Sequence, residues 1–188
     1  IRKNILTGRE ANYTDQPSAR WKNVLLLAFG QKKMFHNPLV AVLHFFVYAG
    51  FIIINIEVLE IILDGILGTH RLFAPVLGSL YNFLINAFEI LAVLVIVSCA
   101  IFLIRRNMIK LKRFISKDLN GWPRSDANYI LITEIVLMLL FLTMNATDLV
   151  LQGKGYGYYA ENPTGRFIIS GMLTPLYGSF NEATLVTI

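Results

Sequence analysis

The chain has 188 residues, of which 55% are hydrophobic and only 15% charged, and its formal net charge at neutral pH is +5. Soluble globular domains carry about 25% charged residues, and the mean hydropathy of +0.58 is that of a chain whose solvent is the lipid bilayer. The only cysteine, Cys99, excludes a disulfide framework and a four-cysteine iron-sulfur site within these residues. We expect Cys99 to be a small apolar packing residue.

The first 37 residues are basic and hold no apolar stretch long enough to cross a membrane. Within ARWKNVLLLAFGQKKMF, residues 19–35, Trp21, Leu25 and Phe29 recur at helical spacing among lysines and arginines. That pattern is typical of a helix lying in the membrane interface. We therefore predict a cytoplasmic segment over 1–37 with an interfacial helix on the inner leaflet.

Three apolar stretches with few charged residues predict transmembrane helices over 38–64, 78–104 and 128–151. Each exceeds the roughly 20 residues that cross about 30 Å of hydrocarbon at about 1.5 Å per residue. The segments between them are predicted to be an external loop over 65–77 and a basic cytoplasmic loop over 105–127. The expected fold class is therefore all-α, a multi-pass transmembrane helical bundle.

The C-terminal part predicts an external loop followed by the start of another helix. Residues 152–178 are rich in glycine and tyrosine and hold an apolar stretch that is too short to span a membrane. Ser179 and Glu182 have the spacing of a capping box, which predicts that a helix begins within 179–188. Since barely two turns follow and the sequence opens on Ile1, we expect the natural polypeptide to continue at both ends.

Lysine and arginine set the predicted orientation, because short cytoplasmic loops carry the excess of positive charge. Of the 17 basic residues, only Arg71, Lys154 and Arg166 fall in the predicted external segments. We attribute the charge to topology and to anionic lipid, rather than to nucleic acid or a dedicated protein partner. The residues predicted to face the cytoplasm are Arg2, Lys3, Arg9, Arg20, Lys22, Lys32, Lys33, Arg105, Arg106, Lys110, Lys112, Arg113, Lys117 and Arg124.

Polar side chains at membrane depth are costly, so each is a candidate for function. At 1.5 Å per residue, His44 lies about 9 Å from the cytoplasmic edge and Glu89 about 16 Å from the outer edge. Other acids fall near the outer boundary, where a carboxylate costs less: Glu57, Glu60, Asp64 and Asp148. Helical periodicity predicts three stripes that face the bundle interior. They are His44-Tyr48-Phe51-Asn55, Asn82-Asn86-Glu89 and Glu134-Met138-Phe141-Asn145-Asp148.

His44 is the one histidine inside a predicted transmembrane helix. A neutral imidazole in that position is the usual axial ligand of haem b, and the alternative is a hydrogen bond to Glu134 or to a backbone carbonyl. His36, at the inner boundary, and His70, in the outer loop, do not lie level with it. Glu89 is either one station of a proton relay or a neutral carboxyl group that serves packing.

Four stretches carry a family resemblance: RWKNVLLLAFGQKKMF, HNPLVAVLHFFVYAGFIIINIEVLEIILDGILGTHRLFAPVLG, FEILAVLVIVSCAIFLIRRN and NYILITEIVLMLLFLTMNATD. Together they cover nearly the whole chain, and the part from GQKKMF to GTHR is the most specific. The chain resembles the membrane half of bacterial iron-sulfur oxidoreductases related to heterodisulfide reductase. That half is similar to the gamma subunit of respiratory nitrate reductase, and the soluble half of the family carries 4Fe-4S clusters.

The resemblance implies a nitrate reductase gamma-like bundle in the bacterial inner membrane. It would pass electrons between a menaquinone-type quinone pool and cytoplasmic 4Fe-4S clusters through haem b. The resemblance makes His44 an axial ligand near the cytoplasmic side, with its partner on a helix beyond Ile188, and His70 a weaker candidate for a second haem. Nitrate reductase relatives have a second histidine where this chain has Ile54.

The cysteine motifs of the soluble half are absent from these 188 residues. The resemblance therefore implies one part of a larger quinone-linked enzyme complex that works with a cytoplasmic iron-sulfur or flavoprotein carrier, without a complete active site of its own. Two other classes stay open. One is a cofactor-free scaffold or anchor subunit, and the other is a proton or ion pathway built around Glu89 and the outer carboxylates.

Overall fold

The computed structural model describes residues 15–30, 32–109, 121–161 and 163–187. In these ranges 84% of the residues are helical and no strand occurs. The chain divides into two compact units, one ending at Ala41 and the other beginning at Val42. The prediction of an all-α chain is confirmed for the described ranges.

The first unit holds the segment predicted to be one interfacial helix, and it is made of three short pieces instead. Helix α1 spans Pro17–Val24, Leu25–Phe29 is π-helical, and Lys32–His36 is a 3-10 turn. Gly30 ends the π-helical piece, with its N–H donating to the carbonyl oxygen of Leu25 at 2.7 Å. The basic residues Arg2, Lys3 and Arg9 lie outside the described residues.

Three long helices dominate the chain: α2 spans Pro38–Leu67, α4 spans Ser79–Asn107, and α5 spans Trp122–Lys154, with a short α3 over Ala74–Leu77. By length and composition, each of the three is able to cross a membrane. All three continue beyond the C-terminal ends that hydropathy predicts. Hydropathy identifies only the apolar part of a helix. The helix itself continues until a residue leaves the helical conformation, and Gly155, with φ 72°, ends α5 in this way.

Much of the surface of these helices is apolar and faces outward. Only 22% of the most apolar window of α2, and 33% of those of α4 and α5, is buried inside the structure. Large side chains such as Phe51, Phe83 and Leu140 are exposed. Soluble monomers rarely expose continuous apolar patches of this kind, so the surface fits helices that are surrounded by lipid.

The three long helices share one apolar core, with Ile54 from α2, Val95 from α4 and Met138 from α5 buried in the same cluster. Cys99 is fully buried within it, as predicted for a packing residue. Gly50 allows α2 to approach α4 closely, because a Cβ atom at this position would collide with the side chain of Val95.

The predicted inward stripe of α2 is wrong. Phe51 and Asn55 are exposed, whereas Glu57 and Glu60, on the opposite face, are buried. Periodicity separates the two faces of α2, but the face that is buried depends on partners from other elements. The stripe of α5 is confirmed from Met138 to Asp148, with Glu134 half-buried.

The region predicted to be an external loop over 152–178 contains helix α6, Gly157–Glu161, and helix α7, Ile168–Tyr177. Helix α7 packs against α4 and α5, and the buried Ser170 hydroxyl donates to the carbonyl oxygen of Leu142 at 3.0 Å. This segment is therefore part of the larger unit's packed structure and not only a surface connection.

The last described helix, α8, spans Glu182–Thr187. Its start differs from the predicted capping box at Ser179. The side chain of Asn181 accepts a hydrogen bond from the backbone N–H of Thr184 at 2.8 Å, which is the geometry of an N-cap. Asparagine is among the strongest N-cap residues and lies directly before the helix, so it takes the role that spacing had assigned to Ser179.

Candidate functional site

A buried guanidinium organises the end of the larger unit where α2 finishes. Arg71 follows α2 in the chain, yet only 4% of it is exposed. Its Nη1 atom donates to Oε1 of Glu57 at 2.7 Å, and its Nε and Nη2 atoms both donate to Oδ2 of Asp148, at 3.1 and 3.0 Å. Nη2 also donates to Oδ1 of Asn145 at 2.6 Å. One side chain thus connects α2 with α5.

Two carboxylates near the end of α2 hold the turn that carries Arg71. Asp64 accepts from the Thr69 hydroxyl at 2.7 Å and from the backbone N–H groups of Arg71 and Leu72 at 2.8 and 3.1 Å. Glu60 accepts from the backbone N–H of Phe73 at 2.8 Å. Arg71 itself has a left-handed backbone, with φ 55°. These bonds compensate for that conformation and direct the guanidinium inward.

Helix α4 joins the cluster through Tyr81. Its hydroxyl donates to Oε2 of Glu60 at 2.8 Å, and Nη1 of Arg71 lies within hydrogen-bonding distance of the same hydroxyl at 3.3 Å. Each of the three long helices therefore supplies a polar side chain to one network. We call this network the Arg71 cluster and define it as Glu57, Glu60, Arg71, Tyr81, Asn145 and Asp148.

Glu89 borders the Arg71 cluster and binds the beginning of helix α7. Its Oε2 atom accepts from the backbone N–H groups of Ile169 and Ser170 at 2.9 and 3.3 Å, and its Oε1 atom accepts from Nδ2 of Asn145 at 3.4 Å. Asn86, one turn earlier, accepts from the N–H of Ile168 at 2.8 Å. The predicted stripe of α4 thus satisfies the first N–H groups of a helix, where a carboxylate also interacts favourably with the helix dipole.

Because all the described contacts of Glu89 are with N–H donors, its geometry is that of an ionised carboxylate. This differs from the sequence-based expectation of a neutral acid, which rested on depth alone. The amides of Asn145, Ile169 and Ser170 donate hydrogen bonds to Glu89, as water would donate to a carboxylate outside the membrane. A structural cap and a proton relay are both chemically open to a residue in this position.

The polar surroundings set the charge state of the guanidinium. Burial alone would lower the pKa of Arg71, but the nearby Asp148, Tyr81 and Glu57 more than offset burial, so the pKa lies above its ordinary value. Arg71 is therefore a fixed positive charge at every pH at which the protein is folded.

A cavity of about 160 Å³ lies beside the Arg71 cluster. Asp64, His70 and Tyr159 contribute polar atoms to its wall, and Met144 and Leu151 contribute apolar ones. Burial, followed by the charge of Asp148, raises the pKa of the Tyr159 phenol. The cavity therefore presents a protonated hydroxyl next to carboxylates.

His44 lies far from this cluster, on α2. Thirteen residues of helix separate His44 from Glu57, the first member of the cluster on α2, which corresponds to about 20 Å. Its ring is half-buried and meets Phe102 of α4 edge to face, with 6.4 Å between ring centroids. No hydrogen bond joins His44 to Glu134, or to any other residue within the ranges that the structure describes. The predicted hydrogen-bonded alternative is therefore not formed within those ranges.

His70 has a different environment. Its Nε2 atom lies 3.3 Å from Oδ1 of Asp148, and its ring stacks edge to face on Tyr159 with 4.6 Å between centroids. Gln152 donates to the same Asp148 oxygen at 2.8 Å. An imidazole directed at a carboxylate fits a hydrogen-bonding role in the cavity wall better than axial ligation, so His70 is the weaker haem candidate.

The residue that sequence reasoning missed is Arg71. The apolar pattern places it in the external loop over 65–77, where its charge enters only the count that sets the orientation. A usable signal was present, since Arg71 is one of only three basic residues on the predicted outer side while several acids lie near that boundary. An unmatched group of acids in apolar helices requires a cation.

Within the described ranges, no group of three or more histidine, cysteine, aspartate or glutamate side chains is arranged as a metal site. A half-buried imidazole such as His44 is a side chain of the type that holds haem iron as one axial ligand. Comparison with known proteins adds no assignment: no family model, curated protein or solved structure matches this chain.

Proposed function

We propose that this chain is the membrane electron-transfer part of an iron-sulfur oxidoreductase. It would pass electrons between a quinone pool and cytoplasmic 4Fe-4S clusters, in a nitrate reductase gamma-like bundle of the bacterial inner membrane. The observation that carries the proposal is His44, the one histidine in the three apolar helices. It is half-buried between α2 and α4 and accepts or donates no hydrogen bond within the described residues.

Haem b, when bound, supplies a one-electron carrier. His44 would hold it as one axial ligand, and Phe102 would fix the orientation of the imidazole through the edge-to-face contact. The second axial ligand is proposed to come from outside the described residues.

The haem proposal is tested by the reduced-minus-oxidised visible spectrum of the full-length protein in detergent. Wild type is expected to show the absorbance bands of haem b, and His44→Ala is expected to remove at least one haem because an axial ligand is lost. His36→Ala is the matched control and should keep the spectrum. Membrane insertion of both variants is checked by their resistance to alkaline extraction.

The alternative function is a cofactor-free scaffold or anchor subunit of a larger complex. It is favoured by the Arg71 cluster, in which hydrogen bonds between buried polar side chains connect the three long helices. If the wild-type protein shows no haem bands, this alternative replaces the electron-transfer proposal.

The proposed topology places the N-terminal flank and the connection between α4 and α5 in the cytoplasm. In a cysteine-free Cys99→Ala background, a cysteine introduced at Ser116 should react with a membrane-impermeant maleimide only from the cytoplasmic side. A cysteine introduced at Tyr158 should react only from outside. Ser116 lies outside the described residues, so the test rests on the charge distribution. The reverse labelling pattern would contradict the orientation.

A further inference from the structure

Four carboxyl groups are gathered around one buried cation. Glu57, Glu60, Glu89 and Asp148 are each 3% exposed or less. Arg71 supplies the one guanidinium that contacts this group in the described part of the chain. If all four acids were ionised, they would leave a buried excess of negative charge, which is costly in a low-dielectric interior. The hydrogen bonds of each oxygen show which acid can be neutral.

Asp148 is best satisfied as an anion, and Nε2 of His70 also lies 3.3 Å from its Oδ1 atom. Its Oδ2 atom accepts twice from Arg71, and its Oδ1 atom accepts from Nε2 of Gln152 at 2.8 Å. The orientation of the Gln152 amide is fixed, because its oxygen accepts from the backbone N–H of Thr164 at 3.2 Å and its nitrogen donates to the Thr164 hydroxyl at 2.7 Å. Neither oxygen of Asp148 can carry a proton without facing a donor.

Glu89 is fixed in the same way. Its Oε2 atom accepts from two backbone N–H groups. Its Oε1 atom faces Nδ2 of Asn145, and that amide cannot be reversed because its oxygen already accepts from Nη2 of Arg71. A proton on either oxygen of Glu89 would therefore meet an N–H group.

Glu60 accepts from the backbone N–H of Phe73 at one oxygen and from the Tyr81 hydroxyl at the other. Protonating Glu60 would require it to donate to Tyr81. The Tyr81 hydroxyl also accepts from Arg71, so its own hydrogen would then lose its acceptor. Glu60 is thus best satisfied as an anion.

Glu57 is different. Its Oε1 atom accepts from Nη1 of Arg71, whereas its Oε2 atom is fully buried and has no hydrogen-bond partner among the described residues. A buried anionic oxygen without a donor is more costly than a neutral hydroxyl without an acceptor. Arg71, Glu60 and Glu89 act on Glu57 electrostatically, so a proton on Glu57 also reduces the repulsion between three acids.

We propose that Glu57 is a proton-binding site: Oε2 carries a proton at neutral pH, Oε1 accepts from Arg71, and Glu60, Glu89 and Asp148 remain ionised. Binding of the proton converts one carboxylate to a carboxylic acid and lowers the net negative charge of the group by one. Release of the proton leaves Oε2 as an anion that needs a donor. This site does not depend on the electron-transfer proposal, because it uses neither His44 nor haem.

The test is infrared spectroscopy of the full-length protein in lipid vesicles at neutral pH. The wild-type minus Glu57→Gln difference spectrum should show the C=O stretch of one protonated carboxylic acid, which moves to lower frequency in D₂O. Any acid common to both proteins, such as the half-buried Glu134, cancels in the difference. The matched control is Glu60→Gln, whose difference spectrum should lack this band and show a loss of carboxylate absorbance instead.

A flat difference spectrum for Glu57→Gln, or a carboxylic acid band that disappears with Glu60→Gln, would overturn the proposal. Glutamine has the shape of a neutral glutamic acid and leaves the charge of the group unchanged. The thermal stability of Glu57→Gln should therefore match that of wild type, and a variant that fails to insert or fold would equally contradict a neutral Glu57.

Discussion

Arg71→Met is expected to lower the free energy of unfolding by about 3–5 kcal/mol, the usual result of removing one partner from a buried ion pair. Methionine has a similar length and fills the space, but it leaves Asp148 without its charged donor and removes the donors to Glu57 and Asn145. Because the same guanidinium joins α2 to α5, the loss should loosen the packing of both helices. Thermal or denaturant unfolding of the detergent-solubilised protein measures the change.

Arg166→Met is the matched control for that experiment. Arg166 falls on the same predicted side of the membrane and its side chain is exposed, so its replacement should change stability by less than about 0.5 kcal/mol. Arg71→Lys should fall between the two, because an ammonium group keeps the charge but cannot reproduce the planar fork that contacts Asp148 and Asn145. If Arg71→Met and Arg166→Met have equal stability, the cluster does not depend on Arg71.

Glu89→Gln is expected to release the beginning of helix α7. The carboxylate accepts from the N–H groups of Ile169 and Ser170, and hydrogen bonds to a charged group contribute about 1.5–3 kcal/mol. In the variant an NH₂ group replaces one of the two carboxylate oxygens. It would face either those N–H groups or Nδ2 of Asn145, so that two donors would point at each other. Amide hydrogen exchange of residues 168–171 should accelerate by about tenfold or more, as a loss of about 1.4 kcal/mol implies.

Glu134→Gln is the control for Glu89→Gln. Glu134 is half-buried on α5 and accepts no hydrogen bond within the described residues, so exchange in α7 should not change. Quinone-linked turnover of the full-length protein separates the two roles of Glu89. A proton relay predicts a loss of at least about tenfold in this turnover, in addition to the faster exchange in α7. Faster exchange without that loss identifies Glu89 as a cap alone.

Helix existence and type were predictable in this chain because apolar length is a direct consequence of membrane thickness. The three spans follow from runs of apolar residues with few charges, and their cores match α2, α4 and α5. Their ends did not follow, because polar residues at a helix end remain helical until a glycine such as Gly155 changes the backbone. The short helix α7 was missed because Gly171 and Pro175 interrupt the apolar pattern, and α6 was missed because it lies in a stretch rich in glycine and tyrosine.

The stripes Asn82-Asn86-Glu89 and Met138-Asp148 were also predictable, since a helix repeats its faces every 3.6 residues. What periodicity could not supply was the partner of each face. The polar groups of α4 meet the first N–H groups of α7, which comes about 80 residues later in the chain. Glu57 and Glu60 face inward because Arg71 and Tyr81 donate hydrogen bonds to them there. Neither contact can be predicted from the residues adjacent in sequence.

By itself, the sequence determined that the chain is helical and apolar enough to span a membrane three times, and which residues are polar at depth. Only the tertiary structure decided that a loop arginine is buried and that, among the four buried acids around it, Glu57 has an oxygen without a donor in the described residues. The reason is physical. Hydropathy sums over neighbours in the chain, whereas the cost of a buried charge depends on donors and acceptors within about 3 Å, and these come from residues that are distant in sequence.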